Sequence, residues 1–147
     1  MRTAQLTSLR QLDIAYEIAS KAHEGQFRRD GVTPYFNHCM HVANIVQRRG
    51  GSDEDIAAAL THDVLEDTPV TKFDLLRAGL TQRVVDAVMA LTKLDGECYE
   101  QAVLRAKANP IARKVKIADN LANLSDEPTD KQIMKYSKSL QVLMSES

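Results

Sequence analysis

Asn109-Pro110-Ile111-Ala112-Arg113-Lys114-Val115-Lys116-Ile117-Ala118-Asp119-Asn120-Leu121-Ala122-Asn123-Leu124 reads as a helix with its start signal in place. Asn109 offers a side-chain acceptor to the first backbone N–H groups, and Pro110 loses nothing at the first helical position. Ile111, Val115, Ala118 and Ala122 follow at steps of four, three and four, the spacing of one helical face. Asp119 borders that stripe. A carboxylate on an inward face costs on the order of several kcal/mol unless it finds a cation, a hydrogen-bond network or a metal. An ion pair with a neighbouring helix is the plainest of the three.

The same period runs outward in both directions. Leu9, Leu12, Tyr16, Ala19 and His23 share one face of a first long segment, and Val42, Ile45 and Val46 mark a second that opens near Asn37. Ser52 with Asp55, and Thr71 with Asp74, have the spacing of capping boxes, with Asp in place of the usual Glu or Gln. Thr81 opens a stretch carrying Val84, Val85, Val88 and Leu91. Thr129 with Gln132 forms a capping box ahead of Ile133, Tyr136, Leu140 and Leu143. Alternating, β-branched stretches are absent. The expectation is an all-α fold, about seven or eight helices joined by short loops, with residues 1–147 as a single domain.

Composition narrows the function classes. The chain has 147 residues, 44% hydrophobic and 27% charged, with a net charge of −1. Such a chain has no global field to hold it on DNA or an anionic membrane, so any phosphate-binding charge must be local. No apolar run approaches the roughly 18–20 residues that span a bilayer, and the first residues lack the apolar core of a secretory signal. Cys39 and Cys98 are far apart and form no C-x-x-C pair. Both are expected as packing residues, in a cytoplasmic protein.

One stretch breaks the helical pattern. Gly25-Gln26-Phe27-Arg28-Arg29-Asp30-Gly31-Val32-Thr33-Pro34 reads as an irregular loop, and Arg28-Arg29 make it a candidate anion site. Two more inward polar groups join Asp119. His38 lies four before Val42, and His62-Asp63 follows the small-residue run Ala57-Ala58-Ala59-Leu60. Adjacent residues of a helix point about 100° apart, so His62 and Asp63 reach one point only at a crowded helix junction. Glu66 falls one turn further along, Asp67 is next, and Thr68-Pro69 ends the segment.

His38, His62, Asp63 and Asp119 together supply two imidazoles and two carboxylates from three helices. Mixed nitrogen and oxygen donors suit a divalent first-row metal such as Mn²⁺, Fe²⁺ or Zn²⁺ better than Ca²⁺. Such an ion polarises phosphorus and acidifies water, and Glu66 or Asp67 would take the proton or orient that water. His41 is assigned to packing or solvent, and His23 to orienting the basic loop.

The ordered signature His38, His62-Asp63, Asp119 resembles the HD superfamily of metal-dependent phosphohydrolases. Ala22-His23-Glu24-Gly25-Gln26-Phe27-Arg28-Arg29-Asp30-Gly31, Pro34-Tyr35-Phe36-Asn37-His38 and Val42-Ala43 are similar to the opening of RelA/SpoT-type (p)ppGpp hydrolase domains. Ala58 to Thr68 resembles their HD helix with its Glu-Asp pair. Leu91-Thr92-Lys93 and Val115 to Leu124 continue the series in order. The resemblance runs from about residue 10 to about residue 140. The short length is similar to that of stand-alone small alarmone hydrolases.

That resemblance implies an HD-domain helical bundle with His38, His62, Asp63 and Asp119 as metal ligands and Mn²⁺ as the usual ion. It implies that Glu66 and Asp67 handle the attacking water, that Arg28 and Arg29 contact the nucleotide, that Asn123 meets the nucleoside and that Tyr136 lines the base pocket. Lys93 and Lys116 are weaker candidates for offsetting phosphate charge. The implied reaction is hydrolysis of the 3′-pyrophosphate of ppGpp or pppGpp, to GDP or GTP and pyrophosphate. The expected partner is a small phosphorylated nucleotide, with no DNA and no membrane. Alternatives are an HD phosphohydrolase acting on another phosphorylated nucleotide such as NADPH, and a non-catalytic nucleotide-binding domain. The family often reads Asp-Arg-Leu-His-Asn where this chain has Asp119-Asn120-Leu121-Ala122-Asn123. That departure bears on the positions beside the nucleoside.

Overall fold

The computed structural model describes residues 2–146, and side chains from Arg10 onward, so Leu9 of the expected first face lies outside the described side chains. The helical period is realised as α1 (Arg2–Ala22), α2 (Phe36–Arg48), α3 (Asp53–Thr61), a single turn α4 (Val64–Asp67), α5 (Lys72–Ala78), α6 (Gln82–Leu91), α7 (Tyr99–Ala108), α8 (Pro110–Leu124) and α9 (Asp130–Met144). Among the described residues the sole extended pairing is an isolated antiparallel bridge, Phe27 with Pro34. No helix among them is long and apolar enough to cross a membrane.

The start signals work as the chain writes them. Ser52 Oγ accepts from Asp55 N at 3.1 Å while Asp55 Oδ2 accepts from Ser52 N at 2.9 Å, closing the box at α3. Thr71 with Asp74 and Thr129 with Gln132 close theirs in the same way, and Asn109 Oδ1 accepts from Ile111 N and Ala112 N at the head of α8. Each such cap is worth about 1 kcal/mol.

Helix α3 is the hub, packed against α1, α2, α6 and α8. Ala57, Ala58 and Ala59 are fully buried, and their short side chains let the surrounding helices close on the axis. The Ile111, Val115, Ala118 and Ala122 stripe of α8 is buried against the same core. A smaller cluster, Val103, Ile117 and Leu143, ties α7 and α9 to the other flank of α8. The ends of α2, α3 and α8 thereby meet at one place.

Three expectations are adjusted. The His62–Glu66 stretch is not one continuous helix: α3 ends at Thr61, and Asp63 adopts φ −102°, ψ 0° before α4 begins. The break turns two consecutive side chains toward one point. The loop from Gly25 to Pro34 is better ordered than an irregular stretch, held by Arg28 N to Thr33 O (2.8 Å) and Tyr35 N to Gln26 O (2.8 Å). Cys39 is buried, but Cys98 is exposed just ahead of α7 and is not a packing residue.

Candidate metal centre

His38 sits in the first turn of α2, His62 and Asp63 at the break after α3, and Asp119 two-thirds of the way along α8. His38 Nε2 is 2.9 Å from Asp119 Oδ1. His62 Nε2 is 3.0 Å from Asp63 Oδ2 and 3.6 Å from Asp119 Oδ1. One donor atom from each of His38, His62 and Asp63 lies within 4.8 Å of the others. Four groups from three separate stretches of the chain therefore share one spot at the junction of α2, α3 and α8.

The tautomer of His62 is fixed from behind. Its Nδ1–H donates to the Ala59 carbonyl at 2.7 Å, which leaves Nε2 facing the cluster. That nitrogen is buried and, despite the nearby carboxylates, makes no well-directed hydrogen bond. Such a back-bonded imidazole has the form of a metal-ligating histidine. Two imidazole nitrogens with two carboxylates, one nitrogen lacking a hydrogen bond, fit a divalent first-row ion.

The electrostatics are those of a tight, buried charge cluster. Burial works against the charged form of His62, but the Asp63 and Asp119 carboxylates outweigh it and hold the ring well above the usual histidine range. Burial alone would raise Asp119, yet its bond to His38 and the adjacent His62 hold it well below the carboxylate range. Asp63 is lowered too, by His62 and Tyr35, against burial. Partial withdrawal from water, then repulsion by Asp63, raises both Glu66 and Asp67. A carboxylate raised in this way is a better proton acceptor than a free one.

Above the cluster opens a cavity of about 680 Å³. His38, Asp63, Glu66 and Asp119 form its floor, and the Gly25–Pro34 loop brings Arg28 and Arg29 to one wall. Asn123 and Tyr136 line the cavity as well. Asn123 Nδ2 also donates to Asp119 Oδ1 at 3.3 Å, so it steadies a cluster carboxylate. Arg28 is held by Asp126 at 3.0 Å and lies over the Tyr35 ring. Lys116 lines the cavity, 3.7 Å from Asp119. Asp67 is not part of the cavity lining, although Asp63, His23 and His62 all act on its carboxylate. His41 is exposed. His23 is buried and donates to Gln26 Oε1 at 2.9 Å, while Gln26 Nε2 donates to Asp67 O at 3.1 Å, so His23 does order the loop.

An HD-domain family model matches residues 15–118. The chain belongs to the HD-domain family. Among relatives of this HD domain, the bifunctional (p)ppGpp synthase/hydrolase RelA of Mycobacterium tuberculosis is 33% identical over 145 residues, covering 90% of this chain and 19% of the relative. The guanosine-3′,5′-bis(diphosphate) 3′-pyrophosphohydrolase of Vibrio cholerae is 35% identical over 131 residues, covering 82% of this chain and 18% of the relative. The chain thus spans less than a fifth of the length of these curated relatives. A solved structure described as a metazoan ortholog of SpoT that hydrolyses ppGpp superposes with a TM-score of 0.73 at 24% identity, covering 90% of this chain and 84% of its own. That likeness establishes the all-helical HD fold.

Two departures from the family wording lie away from the cavity of this HD domain. Asn120 is buried between α8 and α9, donating to Ser139 Oγ at 2.6 Å, and Ala122 packs in the core. Residues that the sequence did not single out do reach the site. Tyr35 donates from its hydroxyl to Asp63 Oδ2 at 2.5 Å; its place three residues before His38, one helical turn, was the available signal. Tyr99 and Lys135 line the cavity with no comparable local signal.

Proposed function

We propose that this HD domain, residues 1–147 acting as one unit, is a Mn²⁺-dependent hydrolase of the 3′-pyrophosphate of ppGpp and pppGpp, yielding GDP or GTP and pyrophosphate. The observation that carries the reading is the four-residue His-Asp cluster set in the floor of a cavity walled by Arg28, Arg29 and Lys116. Relatives named as ppGpp 3′-pyrophosphohydrolases support the choice of substrate.

His38, His62, Asp63 and Asp119 would hold the ion, which when bound supplies Lewis-acid polarisation of a phosphoryl group. The chain's own residues do the rest. Arg28 and Arg29 bind the phosphates from the loop side, and Lys116 offsets charge that builds beside Asp119. Glu66, raised by Asp63 and Asp67, accepts the proton of the water that attacks phosphorus. Asp67 acts through Glu66, whose carboxyl its charge helps to raise. The bond from phosphorus to the ribose 3′ oxygen breaks, and that oxygen leaves as a hydroxyl, taking the proton that Glu66 accepted by way of solvent. Asn123 and Tyr136 receive the nucleoside. The free cysteines Cys39 and Cys98 support a reducing, cytoplasmic setting.

The test is incubation of purified protein with Mn²⁺ and, separately, ppGpp, pppGpp, NADPH and common nucleotides, with products resolved. GDP with pyrophosphate from ppGpp supports the reading. Phosphate from NADPH alone overturns the substrate, and inertness toward all of them with metal bound overturns the activity.

A further inference from the structure

Lys135, on α9, lines the cavity, with its ammonium 4.3 Å from the Tyr99 ring centroid and 5.5 Å from that of Tyr136. Lys116 approaches the same Tyr99 ring at 5.4 Å. The two lysines differ in one respect. Lys116 is neutralised by Asp119, whereas Lys135 has no carboxylate within ion-pair distance among the described residues. Partial desolvation, then the neighbouring Lys116, Lys93 and Lys131, depress the ammonium's pKa against a smaller opposing effect of Asp119. Aromatic faces hold an ammonium in place but leave its charge uncancelled. A fixed, repelled cation on a cavity wall is stabilised by an incoming anion.

We propose that Lys135, seated on Tyr99 and Tyr136, forms a second anion subsite in the cavity, distinct from the His-Asp cluster. It takes a phosphate on the far side of the substrate from the bond that breaks. The inference rests on the reading of the cavity as a phosphorylated-nucleotide site and adds the residue that selects for the remote phosphate. Arg28 differs in already having a carboxylate, Asp126, at 3.0 Å.

The experiment compares binding of guanosine 3′,5′-bisphosphate and guanosine 3′-monophosphate to the Mn²⁺-loaded protein by calorimetry. The wild type and Lys135→Arg should prefer the bisphosphate by about tenfold, and Lys135→Ala should bind the two nearly equally. Lys138→Ala, on the outer part of α9, should behave as wild type. Thermal melts establish that each variant is folded. Binding of both nucleotides without a preference that Lys135 controls, or an equal loss for both in Lys135→Ala, overturns the subsite alone. Binding of neither nucleotide by the wild type overturns the nucleotide reading and the subsite with it.

Discussion

The Tyr35 hydroxyl donates to Asp63 Oδ2 at 2.5 Å, so a residue in the loop before α2 fixes the rotamer of a carboxylate at the break after α3. Burial and the Asp63 carboxylate both keep that phenol protonated, which makes it a permanent donor. The same Asp63 oxygen lies 3.0 Å from His62 Nε2, so Tyr35 fixes the edge of Asp63 that faces the His-Asp cluster.

Tyr35→Phe removes that donor with little change of shape. Mn²⁺ affinity should fall by about 10–100-fold, the usual effect of losing a hydrogen bond to a ligating carboxylate. Calorimetric titration of the metal reads it directly. An unchanged affinity in a folded variant would reduce Tyr35 to a packing role.

Asp119→Ala and Glu66→Gln should separate holding the ion from using it. The first should lose bound Mn²⁺ and activity together. The second should keep one ion per chain while the rate falls by about 10²–10⁴-fold, the range for removing a general base. Elemental analysis beside initial rates checks both. Full activity of Asp119→Ala would sink the ligand assignment.

Acid should weaken the joint between α6 and α7. Arg105 grips Glu97 with two bonds, 2.7 and 2.9 Å, and reaches the Thr92 carbonyl at 2.6 Å. These contacts, with the Leu94 N–H, hold the Glu97 carboxyl down at about 2. A native pKa below the unfolded one contributes stability that is present above the unfolded value near 4.5 and is lost as pH falls toward about 2. Wild type should melt higher than Glu97→Gln at pH 7, and the gap should close between pH 4.5 and 2. A gap that persists at pH 2 would contradict the assignment.

Ala58→Leu should be among the more damaging conservative changes. Ala58 is fully buried on the hub helix, with helices packed on every side. Overpacking of this kind costs about 1–3 kcal/mol, measurable by urea denaturation. A neutral result would show that α3 has slack around it.

The capping residues were legible because capping is local: Ser52, Thr71, Asn109 and Thr129 each find their partner within three residues. The inward stripe of α8 was legible for the same reason, since its spacing is set by the helix's own pitch. Tyr35, Tyr99 and Lys135 were not singled out as cavity residues, because each takes its place only from elements that pack beside it.

The residues alone determined that the chain is helical, where most helices begin, and which acids and imidazoles stand on inward faces. Periodicity and short-range hydrogen bonding carry that information within one or two turns. Packing decided that α3 would stop at Thr61, that His62 would bond backward to Ala59, and that Asp119 would lie 2.9 Å from His38 across 81 positions of chain. Such contacts depend on how three helices pack around a small-residue hub, and no local run of the chain encodes that.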